Sequence, residues 1–532
     1  MSQFRRPVSC VFAGFLMVTS AHHVLAQQPS GTPPYVPGEL LVGLASETDR
    51  EALINRLDAT RRGLRAAGEA PARLTATRTG PSELKLTVEF PPNVLNNPGA
   101  ELEHLQEIAR QLKASNPNVE YAHPNWIVNI KPPLDEAPSD GGTNLPSDVR
   151  TNLEKIGPQL AAPVPNDPLF QIGLHWDYLP PPTGMNAVGA WQIERGSRDI
   201  VVAVLDSGFV FDQPDAVGSG NVTRGYNFLS LNICTGRRVN RTPDATDPGD
   251  ACPEKGKKES SWHGTHVAGT IGAIGSNNGR GMTGVAWNVT VVPVRVLGPG
   301  GGTAEDVVAG IRWAAGLPVP GVRRNERRAD VINMSLGGFG RCTPDQNGAY
   351  IRAIQEARRA GSVVVVAAGN GQWVDQNGGL CKPGSSPGCK DRPIDFRNES
   401  PVSCPGVISV AASDKRGFLA YYSNYGPVTI TAPGGDGRMT QEFMINGEKR
   451  KLALGVWSAV HSVFGAMQGT SQATPHVSGA IALALAKNPS WRGQPDLIER
   501  KVRASAVQPP QGACPQGCGP GLLDAVRLLN QR

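Results

Sequence analysis

Five runs of apolar, largely β-branched residues recur in the later part of the chain, at 200–205, 289–296, 331–336, 363–368 and 407–412. Apolar and polar positions do not alternate along them, as they would in a strand wetted on one face. Continuous runs of this kind mark strands buried on both faces. Stretches of helical composition separate them, at 263–274, 304–315, 350–359 and 474–487. Strand and helix in alternation predict an α/β domain over 168–532, with a doubly wound, mostly parallel β-sheet flanked by helices. In such sheets ligands bind beyond the carboxyl ends of the strands.

The first part of the chain is patterned differently. Residues 39–43 and 84–90 read as strands, the second by its alternation, and 49–66 and 100–115 read as helices. Leu102, Leu105, Ile108 and Leu112 give the second helix its apolar face. Two further runs follow at 119–122 and 126–130, so a small α+β unit is expected within 27–130. Residues 131–167 are rich in Pro, Asp, Ser and Gly with little periodicity and read as an exposed linker holding a processing site. At the front, Arg5 and Arg6 precede an apolar stretch and Val24-Leu25-Ala26, which predicts a signal peptide over 1–26. That stretch is interrupted by Ser20, His22 and His23, whereas a membrane anchor needs about 20 apolar residues.

Composition narrows the class. Charged residues are 18% of the chain, below the roughly 25% of ordinary soluble domains, and 63 Gly with 46 Pro imply many turns and long loops. The net charge of +6 is modest, and no basic run is interleaved with aromatics as a nucleic-acid footprint would be. Of nine cysteines, Cys10 leaves with the signal peptide. The remaining eight suit four disulfides in an oxidising compartment, and Cys514 with Cys518 lacks the second pair of ligands a zinc site requires.

Three residues become informative only together. Asp206 ends the first strand run, where a lone Asp is most often a turn former; His263 opens a helix whose Gly264, Ala268 and Gly269 permit close approach to the sheet. Ser471 precedes a helix with Pro475 expected in its first turn, where a lone Ser is usually a cap. A serine nucleophile, however, needs a base within hydrogen-bond reach and a carboxylate that fixes the base's tautomer. The blocks Leu205-Asp-Ser-Gly208, His263-Gly-Thr-His-Val-Ala-Gly269 and Gly469-Thr-Ser-Gln-Ala-Thr-Pro-His476, in that order, resemble the three signatures of the subtilisin-like serine proteases (subtilase, peptidase S8). The resemblance runs over about 168–527, and 35–130 is similar to the family's inhibitory propeptide. The Gly-x-Ser-x-Gly elbow of esterases is missing around Ser471.

The resemblance implies a secreted, self-processed serine endopeptidase acting on protein and peptide substrates. Its own propeptide would be its inhibitor, it would be a monomer, and neither nucleic acid nor a membrane span would be involved. The alternative is an exported, non-catalytic binding protein that keeps the fold. Asp206, His263 and Ser471 would form the triad, and Asn370 would give the oxyanion a side-chain donor. Ser335, Leu336, Gly337 and Gly338 would pair with the substrate backbone, in front of a pocket accepting medium to large apolar side chains. His266 and His476 would be structural; Ser207 and Gln472 stand where Thr and Met are commoner. A structural calcium would take Asp215 and the Asn278 side chain with carbonyls of Ser276, Arg280 and Met282; a second site is conceivable among Asp244, Asp247 and Asp250. The expected disulfides are Cys234–Cys252, Cys342–Cys404, Cys381–Cys389 and Cys514–Cys518.

Overall fold

The computed structural model describes residues 34–66, 73–90, 98–131, 144–146, 164–253, 257, 259–374, 388–445 and 448–532. The signal peptide expected at 1–26, most of the 131–167 linker and Cys381 lie outside them.

Seven strands form the central sheet, in the spatial order Ile430–Pro433, Ile408–Ser413, Val363–Ala367, Val331–Met334, Val201–Asp206, Thr290–Arg295, Tyr226–Asn227. Every pairing in it is parallel. All five strands expected from the apolar runs are present; of the two added ones, Tyr226–Asn227 has only two residues, and Ile430–Pro433 is an edge strand that ends in a proline. Alternate residues of the same run enter different cores. Val202 and Val204 pack with Val267, Ile271 and Val477 from the helices His263–Ile271 and Thr470–Lys487. Val201, Ala203 and Leu205 pack with Val307, Ile311 and Ile354 from Ala304–Ala314 and Pro344–Arg359. Two covered faces are why the sequence shows no alternation.

One helix starts earlier than its sequence suggests. It spans Thr470–Lys487, so Pro475 lies inside it, beyond its first turn. A proline there cannot donate to the carbonyl four residues before it, that of Ser471. The Ser335 hydroxyl supplies the missing donor, 2.8 Å from that carbonyl oxygen.

The N-terminal unit is an antiparallel sheet, Arg73–Gly80, Glu83–Glu89, Tyr35–Leu44 and Val119–Asn129, with the helices Glu47–Ala66 and Pro98–Ser115. The two runs expected at 119–122 and 126–130 are one strand, which changes partners along its length. Its first part pairs with Tyr35–Leu44. Its end pairs on one side with Gly302–Thr303 and on the other with Gly337 and Gly338. The sheet of the small unit thereby continues into the large one.

Polar contacts fix this docking. The Glu83 carboxylate lies on the Arg312 guanidinium, with Arg312 Nη2 donating to Glu83 Oε1 at 2.7 Å. Lys85 meets Glu305 at 2.7 Å, and the Trp126 indole donates to the Gln346 carbonyl at 2.7 Å. Among the described residues no helix is long and apolar enough to cross a membrane.

Candidate active site

Asp206 is the last residue of its strand and is fully buried, at the carboxyl edge where a parallel sheet exposes a crevice. His263 starts its helix, and its Nδ1 lies 2.8 Å and 3.0 Å from the two Asp206 oxygens. The helix can come this close because residue 264 is glycine: a Cβ there would sit 2.3 Å from the Gly208 carbonyl oxygen. Ser207 keeps the hydroxyl that a threonine would offer. It accepts from Gly264 N at 2.9 Å and donates to Asp247 at 2.7 Å, while its own N–H donates to Asp206 at 2.7 Å. Trp262, just before the base, holds a left-handed backbone with φ of 54°, a conformation that costs a bulky residue energy and that recurs at functional sites.

Ser471 stands in the first turn of its helix, with its hydroxyl donating to the Ser335 carbonyl at 3.1 Å. The other imidazole nitrogen of His263, Nε2, is buried without a hydrogen-bond partner among the described residues. The structure therefore forms the Asp–His bond of the expected triad and leaves the Ser–His bond unmade.

Asn370 follows the strand Val363–Ala367 and is locked by the residue before the nucleophile. Its Oδ1 accepts from both the N–H and the hydroxyl of Thr470, each at 2.9 Å. The amide nitrogen is thus turned outward, and it donates to the carbonyl oxygen of Lys131 at 2.7 Å. Of the four residues expected to pair with substrate, Gly337 and Gly338 lie against Asn129 and Val128. Ser335 instead braces Ser471, and Leu336 is buried.

The Subtilase family of peptidases S8 matches this chain over residues 197–521. The chain belongs to the subtilase family. It is 37% identical over 370 residues to an extracellular protease of Xanthomonas campestris, a match covering 68% of this chain and 56% of that protein. The chain thus spans little more than half the length of that curated relative. Among solved structures it resembles a protease of Pseudoalteromonas arctica, with 38% identity and a TM-score of 0.56 over 69% of this chain and 98% of the other. Fervidolysin of Fervidobacterium pennivorans shares the fold at 21% identity, with a TM-score of 0.58 over 98% of this chain and 65% of that one.

In this subtilase the loop expected to hold calcium wraps two buried carboxylates. Asp215 accepts from Asn278 Nδ2 at 2.9 Å and from Met282 N at 3.1 Å. Burial pushes its carboxyl up to about 7, and neighbouring Asp167 adds to the rise. Asp167, which the linker reading passed over, accepts from Asn277 N at 2.7 Å and Asn278 N at 3.0 Å; burial lifts it to about 6. Two desolvated carboxylates side by side are hard oxygen donors of the kind a calcium ion takes, although in this structure the partners they bond are N–H groups. The Asn278 oxygen, expected as a ligand, accepts from Arg280 N at 2.8 Å.

The second candidate does not assemble. Asp250 faces Lys257 and Ser261, Asp247 faces Ser207, and Asp244 accepts from Thr246. Among the described residues no three His, Cys, Asp or Glu side chains group to hold a metal. His266 and His476 are buried in their helices: His266 Nε2 meets the Val456 and Gly465 carbonyls, and His476 Nε2 lies 2.8 Å from Asp177. Cys234 is bonded to Cys252, Cys342 to Cys404 and Cys514 to Cys518. Cys389 is also in a disulfide, and its expected partner Cys381 lies outside the described residues.

Proposed function

We propose that this subtilase is the zymogen of a secreted serine endopeptidase that hydrolyses protein substrates through Asp206, His263 and Ser471. One observation carries the reading. The segment ending at Lys131 lies as the middle strand between Gly302–Thr303 and Gly337–Gly338 with its last described carbonyl on the Asn370 amide, as a peptide substrate would lie.

The chemistry follows from the atoms in place. The Ser471 hydroxyl swings from the Ser335 carbonyl to His263 Nε2 and gives it its proton as Oγ bonds to the substrate carbonyl carbon. Negative charge collects on the carbonyl oxygen, where the Asn370 amide and the Ser471 N–H stabilise it. The latter belongs to a helix start, where N–H groups have no intrahelical acceptor. Asp206 holds the imidazole tautomer and stabilises the imidazolium, which returns the proton to the departing nitrogen as the C–N bond breaks. Water then repeats the sequence on the acyl-enzyme, freeing the acid and restoring Ser471.

Residues 27 to about 160 act as intramolecular chaperone and inhibitor. A large parallel sheet is dominated by non-local contacts and forms slowly, so a preformed partner docked on its helices lowers the folding barrier. The bond after the seated carbonyl is Lys131–Pro132. Its nitrogen belongs to a proline, whose tertiary amide constrains the residue before it and is a poor fit for acyl transfer, so the tail inhibits while processing falls downstream. Asp215 and Asp167 would hold a structural calcium, whose positive charge would offset their two buried carboxylates and keep this loop folded. Export accords with the disulfides and with the Xanthomonas relative being an extracellular protease.

The test is Ser471→Ala expressed in a host lacking other exported proteases. The variant should accumulate as a precursor, whereas the parent yields a chain beginning between about 131 and 168 that digests casein. Equal maturation of both would remove self-processing from the proposal, and a parent unable to digest casein would remove the protease.

A further inference from the structure

Three successive carbonyls in the turn that carries Ser471 each meet a side-chain donor. The Thr474 hydroxyl donates to the Thr470 carbonyl at 2.7 Å, the Ser335 hydroxyl donates to that of Ser471 at 2.8 Å, and His476 Nδ1 lies 2.8 Å from that of Gln472. The first two donors are neutral hydroxyls. The third is one end of an imidazole whose other end, Nε2, lies 2.8 Å from Asp177 Oδ2. Asp177 and His476 are both fully buried, although 299 positions of chain separate them.

A carbonyl oxygen only accepts, so Nδ1 carries a hydrogen. An ionised carboxylate only accepts as well, so Nε2 carries another. Burial alone would raise the Asp177 carboxyl, but the imidazoles of His175 and His476 beside it hold it well below the usual carboxylate range and keep it ionised. His175 does not supply the positive charge. Its Nδ1 stands 3.8 Å from Asp177 Oδ1, and neither of its nitrogens has a hydrogen-bond partner among the described residues, surroundings that are costly for a buried cation. Two further ionisable groups face the pair: Tyr178, whose ring centroid is 5.8 Å from that of His476, and His266 on the helix His263–Ile271. Burial pushes the Tyr178 hydroxyl well up, and burial together with His263 pushes His266 down to about 3, so both are neutral. The positive charge sits on His476.

We propose that Asp177 holds His476 as an imidazolium and that this buried pair positions the nucleophile, by keeping an N–H on the Gln472 carbonyl and so fixing the turn that presents the Ser471 hydroxyl and N–H. The inference rests on Ser471 being the nucleophile, as the proposed function has it. Neither residue touches substrate; both are positioning residues, which gives His476 more than the purely structural part expected from the sequence. The pair acts where the helix is weakest, because Pro475 has no N–H and the turn before it relies on side-chain donors. A neutral imidazole carries one hydrogen for its two acceptors. Without the Asp177 charge, His476 would keep one bond only by turning a lone pair on the other acceptor, and where that is the Gln472 carbonyl the turn is pushed out of place.

The test has a spectroscopic arm and a kinetic arm. Nuclear magnetic resonance of full-length Ser471→Ala protein, isotope-labelled in its histidine nitrogens, should show one imidazole with a hydrogen on both nitrogens at pH 8. Adding His476→Gln should remove that signal. In the mature enzyme Asp177→Asn, nearly isosteric with the parent, should lower kcat on a peptidyl nitroanilide at least about tenfold with KM little changed, as slight misplacement of a reacting group does. The loss should grow from pH 6 to pH 9, because an imidazole without its carboxylate gives up the second proton as the pH rises. Active-site titration with a fluorophosphonate counts folded sites, so misfolded protein does not enter kcat. Unchanged kcat and a pH profile parallel to the parent's in Asp177→Asn would overturn the positioning role. Absence of a doubly protonated imidazole at pH 8 in the unsubstituted pair would overturn the ion pair itself. A parent that cleaves no peptide would take down the nucleophile and the positioning role together, while the resonance signal would still report whether the pair exists.

Discussion

The Ser335 hydroxyl donates to the carbonyl of Ser471, the one carbonyl in the helix that Pro475 leaves without its intrahelical donor. Asn333 in turn donates to the Ser335 hydroxyl at 3.1 Å and accepts from Ser478 at 2.8 Å, tying strand and helix together. Ser335→Ala would leave a buried carbonyl unpaired, at a cost of about 1–3 kcal/mol. Calorimetry should therefore show a lower melting temperature. Because the same carbonyl belongs to the nucleophile, kcat should fall more than KM rises. Unchanged melting and kcat would mean that Ser335 does not position Ser471.

Asn370 has both ends of its amide engaged, one by Thr470 and one by the Lys131 carbonyl. Asn370→Ala removes the donor and keeps the cleft open. In the mature enzyme kcat should fall about 10²- to 10³-fold, the cost recorded when subtilisin loses its own oxyanion asparagine, with KM little altered. Steady-state kinetics on one anilide substrate decides it, and a loss confined to KM would make the contact one of ground-state binding.

Much of this architecture is legible in the sequence because it is local. The strand at Val201–Asp206 shows itself by being apolar at every position, which two-sided burial demands. Gly264 and the residues around Asp206, His263 and Ser471 sit in short motifs because close approach and catalysis constrain neighbours in the chain. What stayed hidden is relational. Lys131 lies 240 residues before Gly371 and 260 before Asp391, the groups its ammonium meets, and nothing near it announces either of them. Asp167 looked like linker because its partners, the N–H groups of Asn277 and Asn278, lie over a hundred residues away. Pro475 misplaced the helix start because its compensation, the Ser335 hydroxyl, comes from another strand end.

Calcium and pH should act on one site. Asp215 is raised from an ordinary carboxyl to about 7 by burial, and Asp167 to about 6. The folded protein without a cation therefore holds protons that the unfolded chain releases, so stability declines as pH climbs from about 4 to 7. A bound cation favours the ionised carboxylates and should flatten that decline. Melting of the Ser471→Ala protein at pH 5 and pH 8, in EDTA and in calcium, reads this directly. The EDTA curve should drop more between the two pH values, and Asp215→Asn should bring the two curves together. Coincident curves in the Ser471→Ala protein itself would mean that the loop holds no calcium.

Acid should loosen the N-terminal unit through Glu83. Burial alone would raise its carboxyl, but the Arg312 guanidinium and the Tyr121 hydroxyl beside it hold it below the usual range. A lowered value in the docked state means that docking gains from the pair above about pH 4.5 and loses that gain as the pH falls through the lowered value. Glu83→Gln mimics the protonated group at neutral pH and leaves Arg312 buried with Glu356 as its remaining anion among the described residues, a loss of about 3–5 kcal/mol when one partner of a buried pair is removed. Full-length protein allowed to process itself should then release activity without the lag of the parent. Brief exposure to pH 3.5 should shorten the parent's lag and change the variant's little, as followed by anilide hydrolysis after return to neutral pH. Equal lags in parent and variant would show that the ion pair does not hold the inhibitor in place.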